Sequence, residues 1–458
     1  MNIRDLFIKN RNKNKENTTS NERQGINEQE KVPKISVGLD LGTSKVCALV
    51  ASPSDYSNSL NILGIGIADS EGLNRGVVIN IDRTVKAIQK AIEQAEQQSG
   101  ISISDITIGI AGDHIEAFPN RGIVGISNAN SEVTSKDVAR VIEECRNIKL
   151  SPDRQILHVI PQEYIIDGQD GFIDPIGING VRLEAIAHIV TGLTTAIKNI
   201  YRCIERINES NNRTTKLRIK DIVLEPIASS YAVLDDDEKE VGVALIDIGG
   251  GTTDIAIFSE NIIRFTSIIG IAGKQVTDDI RRGLGIIATQ AERIKREYGH
   301  CYLNGIMHDE MFMIPGVGGR KPIDISKSYL CQIIQPRMEE LFEFALSEIR
   351  RSGFASSLGA GVVITGGCSL LGGVEDLARD VFGMPVKIGI PSGINCTGLV
   401  PEIQNPIYST AVGLAMYDIN NNHKNEAMNF EPIIEEFKEE KPNKKRILQT
   451  VKIFFQEL

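Results

Sequence analysis

The sequence predicts an α/β protein made of two comparable halves that close on one ligand. Three observations predict it: two glycine-rich hairpins of the same design, a separation of about one domain between them, and strands alternating with amphipathic helices around both. The first hairpin reads Val37-Gly-Leu-Asp40-Leu-Gly42-Thr43-Ser44-Lys45-Val46, the second Leu245-Ile-Asp247-Ile-Gly249-Gly250-Gly251-Thr252-Thr253-Asp254. Each is a hydrophobic strand ending in Asp-x-Gly, a tight turn, and a second strand of β-branched residues. Asp40 and Asp247 stand 207 residues apart, the spacing of an internally duplicated chain.

The chemistry of the paired hairpins suits a nucleoside triphosphate. Turn glycines tolerate positive φ and let backbone N–H groups approach phosphate oxygens as an anion-binding nest. The two aspartates cannot face phosphate directly, so a divalent cation belongs between them. Mg²⁺ keeps several waters and is held largely by phosphates, so one or two nearby carboxylates, Asp40 and Asp247, suffice through water. A single Asp-x-Gly turn is ordinary hairpin chemistry; the duplication carries the reading.

The chain has 458 residues, enough for about three domain-sized units. With 41% hydrophobic and 24% charged residues it has a globular composition, and its net charge of −10 argues against nucleic acid as a main partner. The seven cysteines are odd in number, spread out and never in C-x-x-C spacing, as expected of reduced cytoplasmic thiols. The six histidines form no H-x-x-x-H or H-E-x-x-H pair, so no zinc site is indicated. No apolar run reaches the ~18 residues of a membrane span, and the first residues lack a signal-peptide core.

Residues 1–33 are rich in Asn, Lys, Glu and Gln and read as a disordered leader, with Ile3, Leu6 and Phe7 as a small apolar spot. After the first hairpin a strand pair is expected around Leu60–Ala68, then a helix opened by Asp82 and closed by Gly100, with Val85, Ile88, Ala91, Ile92 and Ala95 on one face. Residues ~112–192 have a different texture and read as an inserted α/β subdomain, with Thr134, Ser135 and Asp137 capping a helix. His158 sits in an apolar run, where packing is the expected role. A helix over Thr194–Ile207 returns to the first half. The second hairpin is followed by a mostly helical stretch from Gly273 to about Leu346, a strand running into Gly366-Gly367-Cys368, and a small-residue helix over Ser409–Tyr417. After Ile419 a polar, acidic tether is expected to run to Pro442.

The last segment, Asn443–Leu458, is the second strong signal. Ile447, Val451, Phe454, Phe455 and Leu458, with Leu448, cover one side of a helical wheel, and Lys444, Lys445, Arg446 and Lys452 add positive charge in an otherwise acidic chain. Such a helix lies in an anionic membrane surface or docks on the protein's own core; the charged tether before it favours the membrane. At about 1 kcal/mol for each basic residue near the surface, one copy attaches only reversibly, and firm attachment needs a polymer.

Other nucleotide and hydrolase signatures fail. Gly273-Lys274-Gln275 lacks the earlier glycine (Ile268 stands there) and the Ser/Thr of a P-loop. Gly283-x-Gly285-x-x-Ala288 has no strand leading straight into it. A G-x-S-x-G elbow is absent.

The two hairpins, the Gly366-Gly367 turn and the small-residue helix resemble the actin/Hsp70 ATPase superfamily, which includes sugar kinases and holds ATP and Mg²⁺ between two lobes. His158-Val-Ile-Pro161-Gln-Glu-Tyr164, Asp174-Pro175-x-Gly177 and Gly180-Val-Arg resemble the inserted subdomain of the bacterial cell-division family FtsA. Gly316-Val-Gly-Gly319, Pro336-Arg337-x-Glu-Glu340-Leu and the amphipathic C-terminus do so too. The resemblance covers about residues 34–419 and the tail helix. It implies an actin-like two-lobed ATPase fold: 34–111 and 193–225 as subdomain 1A, 112–192 as the inserted 1C, 226–271 and 346–419 as 2A, and 272–345 as 2B. A flexible linker over 420–442 and a membrane-targeting amphipathic helix over 443–458 follow.

The resemblance also implies roles residue by residue. Asp40, Gly42, Thr43, Ser44 and Lys45 form the first phosphate loop; Asp247, Gly249, Gly250, Gly251, Thr252 and Thr253 form the second. Gly366 and Gly367 contact the adenosine, Glu292 and Lys295 the ribose and adenine. Glu225 stands where relatives position the attacking water, in a phosphoryl transfer that is mostly positioning. At most weak ATPase activity is expected. The family polymerises like actin, tethers FtsZ filaments of the Z ring to the cytoplasmic face of the inner membrane through anionic lipid, and recruits later divisome proteins. The FtsZ C-terminal peptide docks on 272–345, where Arg337 and Glu340 match contact positions; for Arg337 a plain surface salt bridge is the competing role. The rivals are a PilM-like pilus-assembly ATPase relative and a small-molecule kinase of the same superfamily.

Overall fold

In the computed structural model the residues described are 34–54, 59–127, 130–210, 213–314, 321–395 and 400–428. The expected leader (1–33), Gly316–Gly319, the rest of the tether and the amphipathic tail (443–458) lie outside them.

Lobe I opens with three antiparallel strands, β1 (Ser36–Leu41), β2 (Lys45–Pro53) and β3 (Leu60–Asp69), then a small hairpin, β4 (Leu73–Asn74) and β5 (Val77–Val78). Helix α1 (Ile81–Ser99) and strand β6 (Asp105–Ile110) follow. The α1 stripe of Ala87, Ile88, Ala91, Ile92 and Ala95 is buried, and Gly100 ends the helix at φ 70°. The helix opens at Asn80, whose side chain accepts from the Arg83 N–H, and not at Asp82, which lies in the first turn and pairs with Arg206. Leu60–Ala68 is one long strand rather than a pair, because Leu60 to Asp69 pair with β2 along its length, with one bulge at Leu63.

The inserted unit comprises β7 (Glu116–Gly125), α2 (Ser135–Arg146), β8 (Arg154–Ile166), β9 (Gln169–Phe172) and β10 (Arg182–Leu193), with sheet order β7-β10-β8-β9. Thr134 and Asp137 form the capping box of α2 as expected. Helix α3 (Thr194–Glu209) and strand β11 (Arg218–Leu224) return the chain to lobe I.

Lobe II begins with α4 (Glu225–Val233), α5 (Asp236–Val241), β12 (Val243–Ile248), β13 (Thr253–Ser259) and β14 (Ile262–Ile269). Next come α6 (Gly273–Leu284), α7 (Ala288–Tyr298), the hairpin β15 (Met311–Ile314) and β16 (Ile323–Ser326), and α8 (Lys327–Arg351). The hairpin interrupts the stretch expected to be helical: Phe312, Ile314 and Ile325 alternate inward with period two, a strand pattern. The lobe closes with β17 (Val362–Thr365), α9 (Val374–Phe382), β18 (Val386–Ile388), β19 (Ile394–Asn395), α10 (Val400–Ile403) and α11 (Ser409–Met428). Helix α11 continues past Ile419 to Met428, so the first residues of the expected tether are helical backbone.

The duplication is visible in the sheets. Lobe I orders its strands β3-β2-β1-β6-β11 and lobe II β14-β13-β12-β17-β18, each an antiparallel meander extended by two parallel strands. Both central strands, β1 and β12, are buried throughout. Two elements tie the lobes together. Strand β19 pairs parallel with β3 at the edge of the lobe I sheet. Helix α11 packs on β1 and α4, its Leu414 and Ala415 in one core with Ala228, Leu245 and Val412. That approach needs glycine on both sides: a Cβ on Gly38 would lie 2.6 Å from the Ala411 carbonyl oxygen, and one on Gly413 would overlap that of Ala228.

Candidate functional site

Each lobe turns its glycine hairpin out at the end of its central strand, and the two turns meet. A Cβ on Gly250 would clash with the Ser44 hydroxyl, and one on Gly251 with Thr43. The contact is possible because the second loop presents bare backbone there. Between the lobes lies a cavity of about 460 Å³, lined by Asp40, Gly42, Thr43, Ser44, Lys45, Glu225, Asp247, Gly249, Gly250, Gly251, Thr252, Glu292, Lys295, Gly366 and Gly367. These are the expected phosphate, metal, water-positioning and adenosine residues, from stretches more than 300 positions apart.

Negative charge is concentrated on one wall. Asp40 accepts from Lys45 Nζ at 2.8 Å. Burial works against the Lys45 charge, but Asp40 outweighs it and holds the ammonium protonated well beyond the ordinary lysine range. Asp247 Oδ2 accepts from Ser229 Oγ at 2.7 Å and Thr410 Oγ1 at 3.2 Å. Asp254 faces Asp247 across the β12–β13 ladder and takes the Thr252 hydroxyl at 3.0 Å, while its buried Oδ1 has no partner. Burial, then repulsion from Asp247, pushes the Asp254 carboxyl well up. Burial, then Asp40, Asp254 and Asp247, does the same to Glu225, at the first turn of α4. Among the described residues no three His, Cys, Asp or Glu side chains are arranged to hold a metal directly.

Another part of the lining comes from lobe II. The N-terminus of α6 is pinned beneath the second loop, with the Gly273 N–H on the Gly249 carbonyl at 3.1 Å and the Lys274 N–H on that of Gly250 at 2.9 Å. From α7, Lys295 Nζ reaches the Gly273 carbonyl at 3.0 Å, Thr277 Oγ1 at 2.9 Å and Glu292 Oε2 at 2.8 Å. Burial alone would raise the Glu292 carboxyl, but Lys295, Thr277 and Arg296 bring it down to about 2. Gly366, at φ 84°, lies where a Cβ would strike the Asp247 carboxylate, while a Cβ on Gly367 would meet only Ile407, 4.0 Å away.

One residue expected in the phosphate loops falls elsewhere. Thr253 lies at the first position of β13 and its hydroxyl donates to the Ile271 carbonyl at 2.7 Å, so its side chain braces lobe II instead of lining the cavity. Arg337 and Glu340, on α8, are outside the cavity. Arg337 pairs with Asp279 at 2.6 Å and with Glu340, which makes them an ion-pair cluster on the α6–α8 surface. Sequence reasoning left Asp254, Arg296, Tyr408 and Thr410 unassigned, and all four line the cavity. Asp254 closes the second hairpin motif and was legible there. Thr410 arrives on α11 from 163 residues away, with no local signal.

The inserted unit is latched to lobe II through Gln162 and His188 and to lobe I through His158. Gln162 Nε2 donates to the Ile263 and Arg264 carbonyls of β14 at 2.8 and 2.9 Å. His158 Nε2 accepts the Leu224 N–H at 3.0 Å, and His188 Nε2 shares a 2.8 Å hydrogen bond with Thr266 Oγ1. Burial lowers both imidazoles to about 4, that of His158 with help from His188, so both are neutral packing groups at pH 7.

Comparison with known proteins agrees with this architecture. The family model described as "Cell division protein FtsA" matches residues 244–413, and that of the "SHS2 domain inserted in FTSA" matches 112–191. Among solved structures, the PilM-PilN type IV pilus biogenesis complex aligns with a TM-score of 0.60 at 15% identity, covering 84% of this chain and 98% of that one. MreB5 of Spiroplasma citri bound to ADP aligns at 0.51 and 16% identity, covering 87% and 99%. Both likenesses show the actin-like fold. The curated "Cell division protein FtsA" of Pseudomonas aeruginosa is 44% identical over 84% of this chain and 89% of its own length. The proteins of the same description from Escherichia coli K12 (39%; 84% and 90%) and Bacillus subtilis 168 (36%; 85% and 84%) are also similar. With its two-lobed actin-like fold and inserted α/β unit, the chain belongs to the FtsA family of cell division proteins.

Proposed function

We propose that the chain binds ATP with Mg²⁺ in the cleft between the lobes. In that state it acts as a polymerising scaffold that tethers FtsZ filaments to the cytoplasmic face of the inner membrane at the division site and recruits later division proteins. The observation that carries the nucleotide reading is the meeting of the two glycine loops over one cavity, Thr43 and Ser44 against Gly251 and Gly250. Two stacked turns offer backbone N–H groups to one polyphosphate from opposite sides, which is how a ligand comes to hold two lobes in one relation. Lys45 supplies a fixed positive charge beside them.

The cleft wall fits a hydrated divalent cation. Asp40, Asp247 and Asp254 crowd together with Glu225, and the unpartnered Asp254 oxygen has acceptor capacity to spare. Asp40 and Asp247 would hold Mg²⁺ through water, with Asp254 beside them, and the ion would neutralise phosphate charge. Glu225, at the cleft face of α4, is the group placed to orient a water; its raised proton affinity suits a slow reaction in which the bound state matters more than turnover. Glu292 and Lys295, locked in one ion pair, form a polar rim for a ribose or base.

The membrane and partner roles rest on family membership and on the tail's pattern of apolar and basic residues. Isothermal titration with an ATP analogue and Mg²⁺ tests the cleft; absence of heat and of thermal stabilisation refutes it. Deleting 443–458 should release the protein from anionic liposomes, and undiminished binding refutes the tail's role. A pull-down with the FtsZ C-terminal peptide should capture the chain. Loss of capture in Arg337→Glu, with capture kept in Asp279→Asn, would assign Arg337 to that surface and not merely to its bridge with Asp279.

A further inference from the structure

The turn joining β4 and β5 carries a residue that its backbone disfavours. Arg75 and Gly76 are the two central residues, at φ 48° and 75°. A two-residue hairpin with both φ positive selects Asn-Gly or Gly-Gly, and a long side chain in the left-handed region is strained. Two features around this turn point to the cleft. The Gly76 N–H donates to Thr43 Oγ1 at 3.2 Å, and Gly76 itself lines the cavity. The Arg75 side chain crosses to lobe II and lies along Gly270, its Nη1, Cδ and Cζ 3.5, 3.7 and 3.8 Å from where a Cβ on that glycine would stand. Asp113 of lobe I holds the guanidinium loosely, Nη1 to Oδ2 at 3.6 Å, with both side chains half exposed. Gly270 lies just after β14 and three residues before α6, whose N-terminus is bonded to the second loop.

We propose that Arg75 is a positioning residue for ligand-linked closure of the lobes: it bridges lobe I to Gly270 while its turn braces the Thr43 hydroxyl of the first loop. This rests on the nucleotide reading and deepens it. The guanidinium sets the relation between the first loop and the start of α6, so it acts through Thr43 and Gly270 without touching the ligand. Its strained backbone is tolerated because an Asn or Gly that relieved the strain would lose the bridge.

The test is Arg75→Asn, with Arg75→Lys beside it, on the full chain. Asn suits the turn, so the ligand-free melting temperature is expected to hold or rise. The Kd for an ATP analogue with Mg²⁺ is expected to rise about fivefold or more, the size of a modest coupling between sites, and Arg75→Lys should recover part of the loss. Amide exchange over 270–273 should be slowed by nucleotide in the wild type and much less in Arg75→Asn. Equal affinity in wild type and Arg75→Asn overturns the proposal. So does a fall in ligand-free melting temperature that accounts for the weaker binding, since that marks a purely structural role. If the wild type itself binds no nucleotide, the cleft reading fails and takes this inference with it.

Discussion

Acid should loosen the joints that hold the inserted unit to the two lobes, by an amount set by two histidines. His158 and His188 have imidazoles lowered to about 4 by burial, against 6.5 when unfolded. Between those values the unfolded chain binds more protons than the folded one, so stability is complete above the unfolded value and is lost as pH falls towards 4. Linkage gives a loss of about 2 kcal/mol for each histidine between roughly pH 7 and pH 5, hence about 4 kcal/mol for the pair as an upper figure, because neighbouring imidazoles titrate together. The Glu292 carboxyl, lowered to about 2, matters only below its unfolded value of 4.5 and stays outside this window. Glu225 and Asp254, both raised, act in the opposite direction. Urea unfolding at several pH values isolates the pair when wild type is compared with His158→Gln/His188→Gln, since glutamine retains a polar atom near Nε2 without titrating. The double variant should lose most of the pH slope in this window. An unchanged slope would show that the imidazoles do not carry it.

Three further outcomes follow from the geometry. Gly413→Ala would drive a methyl into the Ala228 carbonyl where α11 crosses α4, and should destabilise the chain by about 2–3 kcal/mol in chemical denaturation. Because Asp247, Asp254 and Glu225 all have raised proton affinity, binding of a magnesium nucleotide should release protons and weaken as pH falls, measurable by titration calorimetry in buffers of different ionisation heat. Glu225→Gln removes one of the crowded carboxylates; it should raise the ligand-free melting temperature while slowing any phosphate release.

Much of the site was legible before folding because its parts are local motifs. A strand, an Asp-x-Gly and a glycine turn signal themselves over ten residues, whereas Glu292, Lys295 and the Gly366-Gly367 turn after β17 were assigned through the family resemblance. That Thr253 lies outside the cavity was not legible, because a glycine loop does not reveal where its backbone stops turning; pairing with Ile269 fixes that residue as strand and swings its hydroxyl to Ile271. The hairpin inside the mostly helical stretch expected from Gly273 to about Leu346 was missed for a related reason. Short apolar runs fit either period, and only the pairing of Met311–Ile314 with Ile323–Ser326 decides for strand.

Hydrophobic periodicity, turn chemistry and the repeated hairpin were enough to determine the α/β class, the two halves, the inserted unit and the two glycine loops of the cavity, since each depends on neighbours along the chain. Which residues complete the cleft was decided only in three dimensions. Thr410 reaches Asp247 because glycines at 38 and 413 let α11 pass between the lobes, and Arg75 reaches Gly270 because the β4–β5 turn stands against lobe II. Contacts between segments hundreds of residues apart leave no periodic trace in the sequence; they exist only once both cores have packed.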